Sequence, residues 1–163
     1  MSDNFKLQPI QNWLKKNNWF FYDHQLETLN QSINGYDILL IAPTGGGKTL
    51  AGFLPSLHDL INNNSPENKL HTLYISPLKA LTIDVHRNLT NPIEDQNLDI
   101  RVETRTGDTS SYKKNRQKNV PPHMLMTTPE SLALLLADIK AKEYFKSLRY
   151  LIIDEIHSLV NTK

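Results

Sequence analysis

The 163 residues suffice for one domain that buries a core without disulfides or structural metal. Apolar residues make up 39% and charged residues 21%, with 18 Lys and Arg against 17 Asp and Glu, which excludes a disordered chain or a polycation. Absence of cysteine excludes disulfide frameworks, thiolate zinc sites and cysteine nucleophiles, and no signal-peptide pattern or membrane-length apolar run is present, so a soluble cytoplasmic protein is expected, away from membranes.

In chain order, an N-terminal helical region over residues 1–34 carries apolar periodicity at Ile10 to Lys16 and His24 to Ile33. Residues 35–163 then alternate in type. Short turn-bounded apolar runs at Asp37 to Ala42, His71 to Ser76, Ile100 to Thr104, His123 to Thr127 and Arg149 to Asp154 read as buried parallel strands. Helices are expected between them at about Thr49 to Asn62, Lys79 to Leu89, Ser110 to Asn119 and Glu130 to Ala141, with a polar loop from Asn62 to Ser65. The fold class is therefore α/β, a parallel sheet flanked by helices. The six histidines show no paired-ligand spacing, so no zinc is expected.

Chemistry concentrates at two strand ends. The run from Ala42 through Pro43, Thr44, Gly45, Gly46, Gly47 and Lys48 to Thr49 follows a strand and opens a helix, the setting of a phosphate loop. Three glycines let backbone N–H groups converge on phosphate oxygens, the helix start adds its dipole, Lys48 reaches the β and γ phosphates of ATP, and the Thr49 hydroxyl ligates Mg²⁺. The general pattern has Gly where this chain has Ala42. At the end of Leu151 to Ile153 stand Asp154, expected to hold Mg²⁺, and Glu155, expected to polarise the attacking water.

These boxes, with His24-Gln25, HTLYISPLKAL (71 to 81), RVETRTGDT (101 to 109), TTPESLALLL (127 to 136) and DEIH (154 to 157), resemble the superfamily 2 DExH helicases. The similarity is greatest to the ligase-associated DExH-box helicases, relatives of the large helicase-related proteins. The resemblance implies an incomplete first RecA-like domain over 35–163, ending after the acid-box strand, that couples ATP hydrolysis to single-strand translocation and unwinding in DNA repair. It implies adenine sensing by Gln25 in a Q-motif-like segment, catalysis by Lys48, Asp154 and Glu155, and coupling through His157. Nucleic-acid contacts fall on Pro77 and Lys79 (motif Ia), on Arg105, Thr106 and Gly107 (motif Ic), and on Thr128, Pro129 and Glu130 (motif Ib). Each of those segments sits at a strand-to-helix junction, where free N–H groups meet phosphates, and Thr128 with Pro129 reads equally as a helix cap.

The implied partners are single-stranded or forked DNA, with RNA as an alternative, a second RecA-like domain that this chain lacks, and a DNA ligase and nuclease. The fragment by itself is then expected to be nearly inactive as an ATPase. In such a domain the motif III strand lies between the phosphate-loop and acid-box strands. The expected order is 38 to 41, a gap, then 150 to 153, 71 to 75, 123 to 127 and 100 to 104. A duplex-DNA translocase with the same ATP boxes, and an inactive nucleotide-binding module, are the competing readings.

Overall fold

The structure, a computed structural model, describes residues 7–43, 45–63 and 68–160. They divide into two compact units: the described residues of 1–64 with 91–98, and those of 65–90 with 99–163.

The first unit contains α1 (Gln8–Lys16), α2 (Asp23–Ile33) and α3 (Lys48–Asn62). Pro9 lies in the first turn of α1, where its missing N–H costs nothing, and Ile10 and Leu14, four apart, form its buried stripe. Helix α2 packs on α3, which buries Ala51, Phe53, Leu54, Leu57 and Leu60. Residues 36–43 form no strand. This corrects the expectation at Asp37 to Ala42: a strand is held by ladder bonds to a neighbour, and none of the described strands pairs with this segment. Ile38, Leu39 and Ile41 face solvent, with Leu39 73% and Ile41 86% exposed.

The second unit is built on a parallel sheet of β1 (Thr72–Ile75), β2 (Val102–Arg105), β3 (Met124–Thr127) and β4 (Tyr150–Ile153), in the order β2-β3-β1-β4. That is the expected order of these four strands. The two interior strands, β1 and β3, are buried on both faces and accordingly read as continuous apolar runs. On one face Leu70, Leu73, Ile75, Leu125, Leu135 and Tyr144 form the core, with Leu132, Phe145 and Leu148 packed against it.

Beyond β1, three helices differ from expectation in extent. Helix α4 (Lys79–Asp95) runs through Pro92 because Val85, Leu89 and Ile93, spaced by four, continue one buried stripe beyond the expected end at Leu89. Helix α5 (Ser111–Asn119) begins after Ser110, whose hydroxyl accepts the Lys113 N–H as an N-cap. Helix α6 (Pro129–Leu136) stops early and is followed by α7 (Ala141–Tyr144). Here the Asp138 carboxylate accepts the Lys140 N–H and the Lys118 ammonium, offering the backbone an alternative to the helical ladder. A final short helix, α8 (Ile156–Val160), follows β4.

Candidate functional site

The first unit supplies the glycine loop. Gly45 and Gly47 take φ of +79° and +70°, a region that strains side-chain-bearing residues, and Gly47 is the N-cap of α3. A Cβ on Gly47 would meet the Gln25 amide nitrogen at 2.5 Å. That crowding reflects a tether: Gln25 is buried, donates from Nε2 to the Gly47 carbonyl at 3.1 Å and accepts the Tyr22 N–H at 2.9 Å. Both ends of the amide expected to sense adenine thus have backbone partners: Nε2 ties α2 to the loop, and Oε1 caps the start of α2. The Lys48 ammonium donates to the carbonyls of Ala42 (2.7 Å) and Pro43 (3.0 Å), and Gly46 N–H closes the turn onto Pro43 at 3.1 Å. Lysine folded across its own loop stands where a phosphate's negative charge would draw it away from weaker carbonyl acceptors. Thr49 is exposed at the first turn of α3, and Thr44 lies outside the described residues.

The second unit supplies the acid box. β4 delivers Asp154 at its carboxyl end, where the Asp154 N–H still bonds the Ile75 carbonyl at 2.9 Å. Its Oδ1 accepts the Glu155 N–H at 2.9 Å, and its Oδ2 accepts the Tyr74 hydroxyl at 2.7 Å. Burial first, and then that bond to Asp154, push the Tyr74 phenol above its usual range. Glu155 has φ of +49°, a left-handed conformation costing about 1–3 kcal/mol that tends to mark functional positions, and its carboxylate lies 3.3 Å from His157 Nε2. Among the described residues no three His, Cys, Asp or Glu side chains form a metal cage. Asp154 still fits Mg²⁺, a hard cation that takes one or two carboxylates and completes its shell with phosphates and water. Each of its oxygens has one partner here and keeps a lone pair.

The segments expected to contact nucleic acid lie at the same carboxyl end of the sheet. Lys79 opens α4 and is ion-paired with Asp108 of the Thr106–Thr109 turn, joining two motifs that the sequence separates. That turn is closed by Thr106 N–H to Thr109 Oγ1 at 2.9 Å, with Gly107 bordering open space. Pro77 is half-buried and Glu130 exposed. The Glu130 carboxyl is held below the usual carboxylate range by its own backbone N–H and the Thr128 hydroxyl. Pro129 occupies the first turn of α6 as expected, whereas Thr128, its N-cap residue, makes no side-chain cap bond, its hydroxyl lying 3.4 Å from Ser131 Oγ.

Arg105, Thr106 and Thr128 are buried in the structure. The Arg105 guanidinium points inward, donating to the Lys114 carbonyl at 2.9 Å and to Gln117 Oε1 at 3.4 Å. Gln117, fully buried, donates in turn to Glu103 Oε2 (2.9 Å) and the Thr104 carbonyl (3.1 Å), and Arg116 caps the same carboxylate at 2.7 Å. Neither Tyr74 nor Gln117 was marked out by the sequence. The available signal for Tyr74 was a phenol between Leu73 and Ile75 in a buried strand, since a buried phenol requires a partner.

The model of the DEAD/DEAH box helicase family matches residues 22–163. The chain is 37% identical over 169 residues to the ATP-dependent helicase Lhr-Core of Methanocaldococcus jannaschii, covering 96% of this chain and 20% of that protein. Among solved structures it resembles the Mycobacterium smegmatis helicase Lhr bound to ssDNA and AMP-PNP, with TM-score 0.84, 35% identity, and coverage of 98% of this chain and 21% of that one. It also resembles the DUF1998 helicase MrfA bound to DNA and AMPPNP, with TM-score 0.83, 29% identity, and coverage of 97% and 22%. The sheet is that of RecA-like helicase domains, and the chain spans about a fifth of the length of these relatives. By the extent of the family match, the chain belongs to the DEAD/DEAH box helicase family.

Proposed function

We propose that this chain is the ATP-binding front part of an ATP-dependent DNA helicase. The observation that carries the reading is the loop of Gly45 to Lys48, bent by left-handed glycines onto the start of α3, with the lysine held by carbonyls that a phosphate would replace. In this reading the loop N–H groups and Lys48 bind the phosphates, and Gln25 keeps the loop in shape beside its adenine role. Glu155 takes the proton of the attacking water, and His157, beside the Glu155 carboxylate, reports the state of that proton. Asp154 is read as a ligand of Mg²⁺, which would neutralise phosphate charge as it develops, and the resemblance assigns the Thr49 hydroxyl the same kind of role.

Lys79, Pro77, Gly107, Pro129 and Glu130 line the track for a single strand, and buried Arg105, Thr106 and Thr128 shape its turns. DNA is favoured because the related Lhr and MrfA structures hold DNA. The setting we infer is the cytoplasm, on single-stranded or forked DNA, alongside a DNA ligase and nuclease. Among the described residues no helix is long and apolar enough to cross a membrane.

The test is ATP turnover with and without single-stranded DNA, in a protein carrying this chain and the remaining length of its relatives. Lys48→Ala or Glu155→Gln should each lower DNA-stimulated turnover on the order of a hundredfold or more. Near-normal turnover in Glu155→Gln would remove it from the role of base.

A further inference from the structure

We infer that Tyr74 is a positioning residue for the acid box, orienting the Asp154 carboxylate toward the divalent cation that accompanies the nucleotide; this rests on the ATP-site reading above. Tyr74 lies on β1 opposite Ile152 of β4, in parallel register. Side chains two apart on a strand share a face, so Tyr74, Ile152 and Asp154 point to the same side of the sheet. The phenol, one step further along, reaches the carboxylate.

The side chain is only 1% exposed and stands on β1, an interior strand paired on both sides, so its hydroxyl is a fixed point rather than a mobile contact. Asp154 is thereby held at both oxygens, by the Tyr74 O–H on Oδ2 and by the Glu155 N–H on Oδ1. The second of these is local, given by the peptide N–H that directly follows Asp154. Two donors on two oxygens leave the carboxylate little rotational freedom and keep a lone pair on each oxygen for a cation. A carboxylate freed of Tyr74 would have to be ordered by the metal itself, at the expense of metal affinity.

The experiment is nucleotide binding by the full 163-residue chain and its Tyr74→Phe variant, using a fluorescent ADP analogue in EDTA and across a Mn²⁺ titration. Removal of an outer-shell partner typically lowers metal affinity about 10–100-fold, so the Mn²⁺ midpoint should rise by that factor while affinity in EDTA stays within about twofold. An unchanged Mn²⁺ midpoint overturns the proposal, and so does an equal loss with and without metal, which would mark a packing defect. A parent chain whose nucleotide affinity gains nothing from Mn²⁺ overturns the ATP-site reading and this proposal together. Should the phenylalanine variant fail to fold, 3-fluorotyrosine at position 74 retains the hydroxyl. Its fluorine resonance should broaden on addition of Mn²⁺ with nucleotide, and an unbroadened resonance overturns the proposal.

Discussion

Replacing Gln117 with methionine tests what holds the motif Ic turn in place. The substitution keeps volume and apolar stem while deleting both polar atoms. Gln117 is fully buried and gives two hydrogen bonds, one to the Glu103 carboxylate and one to the Thr104 carbonyl. A bond to a charged group contributes about 1.5–3 kcal/mol and a neutral one about 1 kcal/mol, and water has no access to replace either. The 3.4 Å contact from Arg105 adds little, and Arg105 retains the Lys114 carbonyl while Glu103 retains Arg116. The expected loss is therefore about 3 kcal/mol. With a urea slope of about 2 kcal/mol/M, the unfolding midpoint should fall by roughly 1.5 M. The assay is urea denaturation followed by far-ultraviolet circular dichroism at constant pH. A shift under roughly 0.3 M would refute the reasoning, because it would mean that Glu103 and Arg105 satisfy each other without the amide.

Three further outcomes are expected. Gly47→Ala places a side chain at φ of +70° and against the Gln25 amide, so it should cost at least about 1 kcal/mol of stability and weaken ADP binding several-fold; an alanine variant with parental melting temperature and affinity would contradict the loop geometry. Lys79→Ala should weaken single-stranded DNA binding and lower the slope of log K against log salt by about 0.7, whereas Asp108→Asn, which frees Lys79 from its ion pair, should raise affinity; fluorescence anisotropy at several salt concentrations reads both, and equal slopes in parent and Lys79→Ala would exclude a phosphate contact.

His123 accepts the Arg101 N–H at its Nδ1, and burial first, then the Arg101 charge, hold its pKa below the ordinary value. The folded chain then binds fewer protons there than the unfolded chain, so the stabilisation is complete above about pH 6.5. It declines as pH falls below that value, by at most about 1.4 kcal/mol per pH unit until the folded-state pKa is reached. Urea midpoints from pH 7.5 to 5 should show this slope in the parent and a flatter one in His123→Gln.

Local pattern alone determined the four strands of the sheet, because uninterrupted apolar runs bounded by turns have few other ways to be buried. The glycine loop and acid box were legible for a similar reason: phosphate binding and in-line hydrolysis require particular residue types at a strand-to-helix junction. The resemblance to DExH helicases supplied the order of those strands. What depended on neighbours was not legible. Residues 37 to 42 have the composition of a strand, yet strand structure requires a partner's N–H and C=O groups, which composition does not provide. Arg105 reads as a phosphate ligand from its place in the motif, and only the folding of α5 over β2 takes its guanidinium inward to Lys114 and Gln117. Tyr74 and Asp154 lie 80 residues apart and meet because β1 and β4 pair in one register; a shift of a single residue would turn the phenol to the opposite face of the sheet.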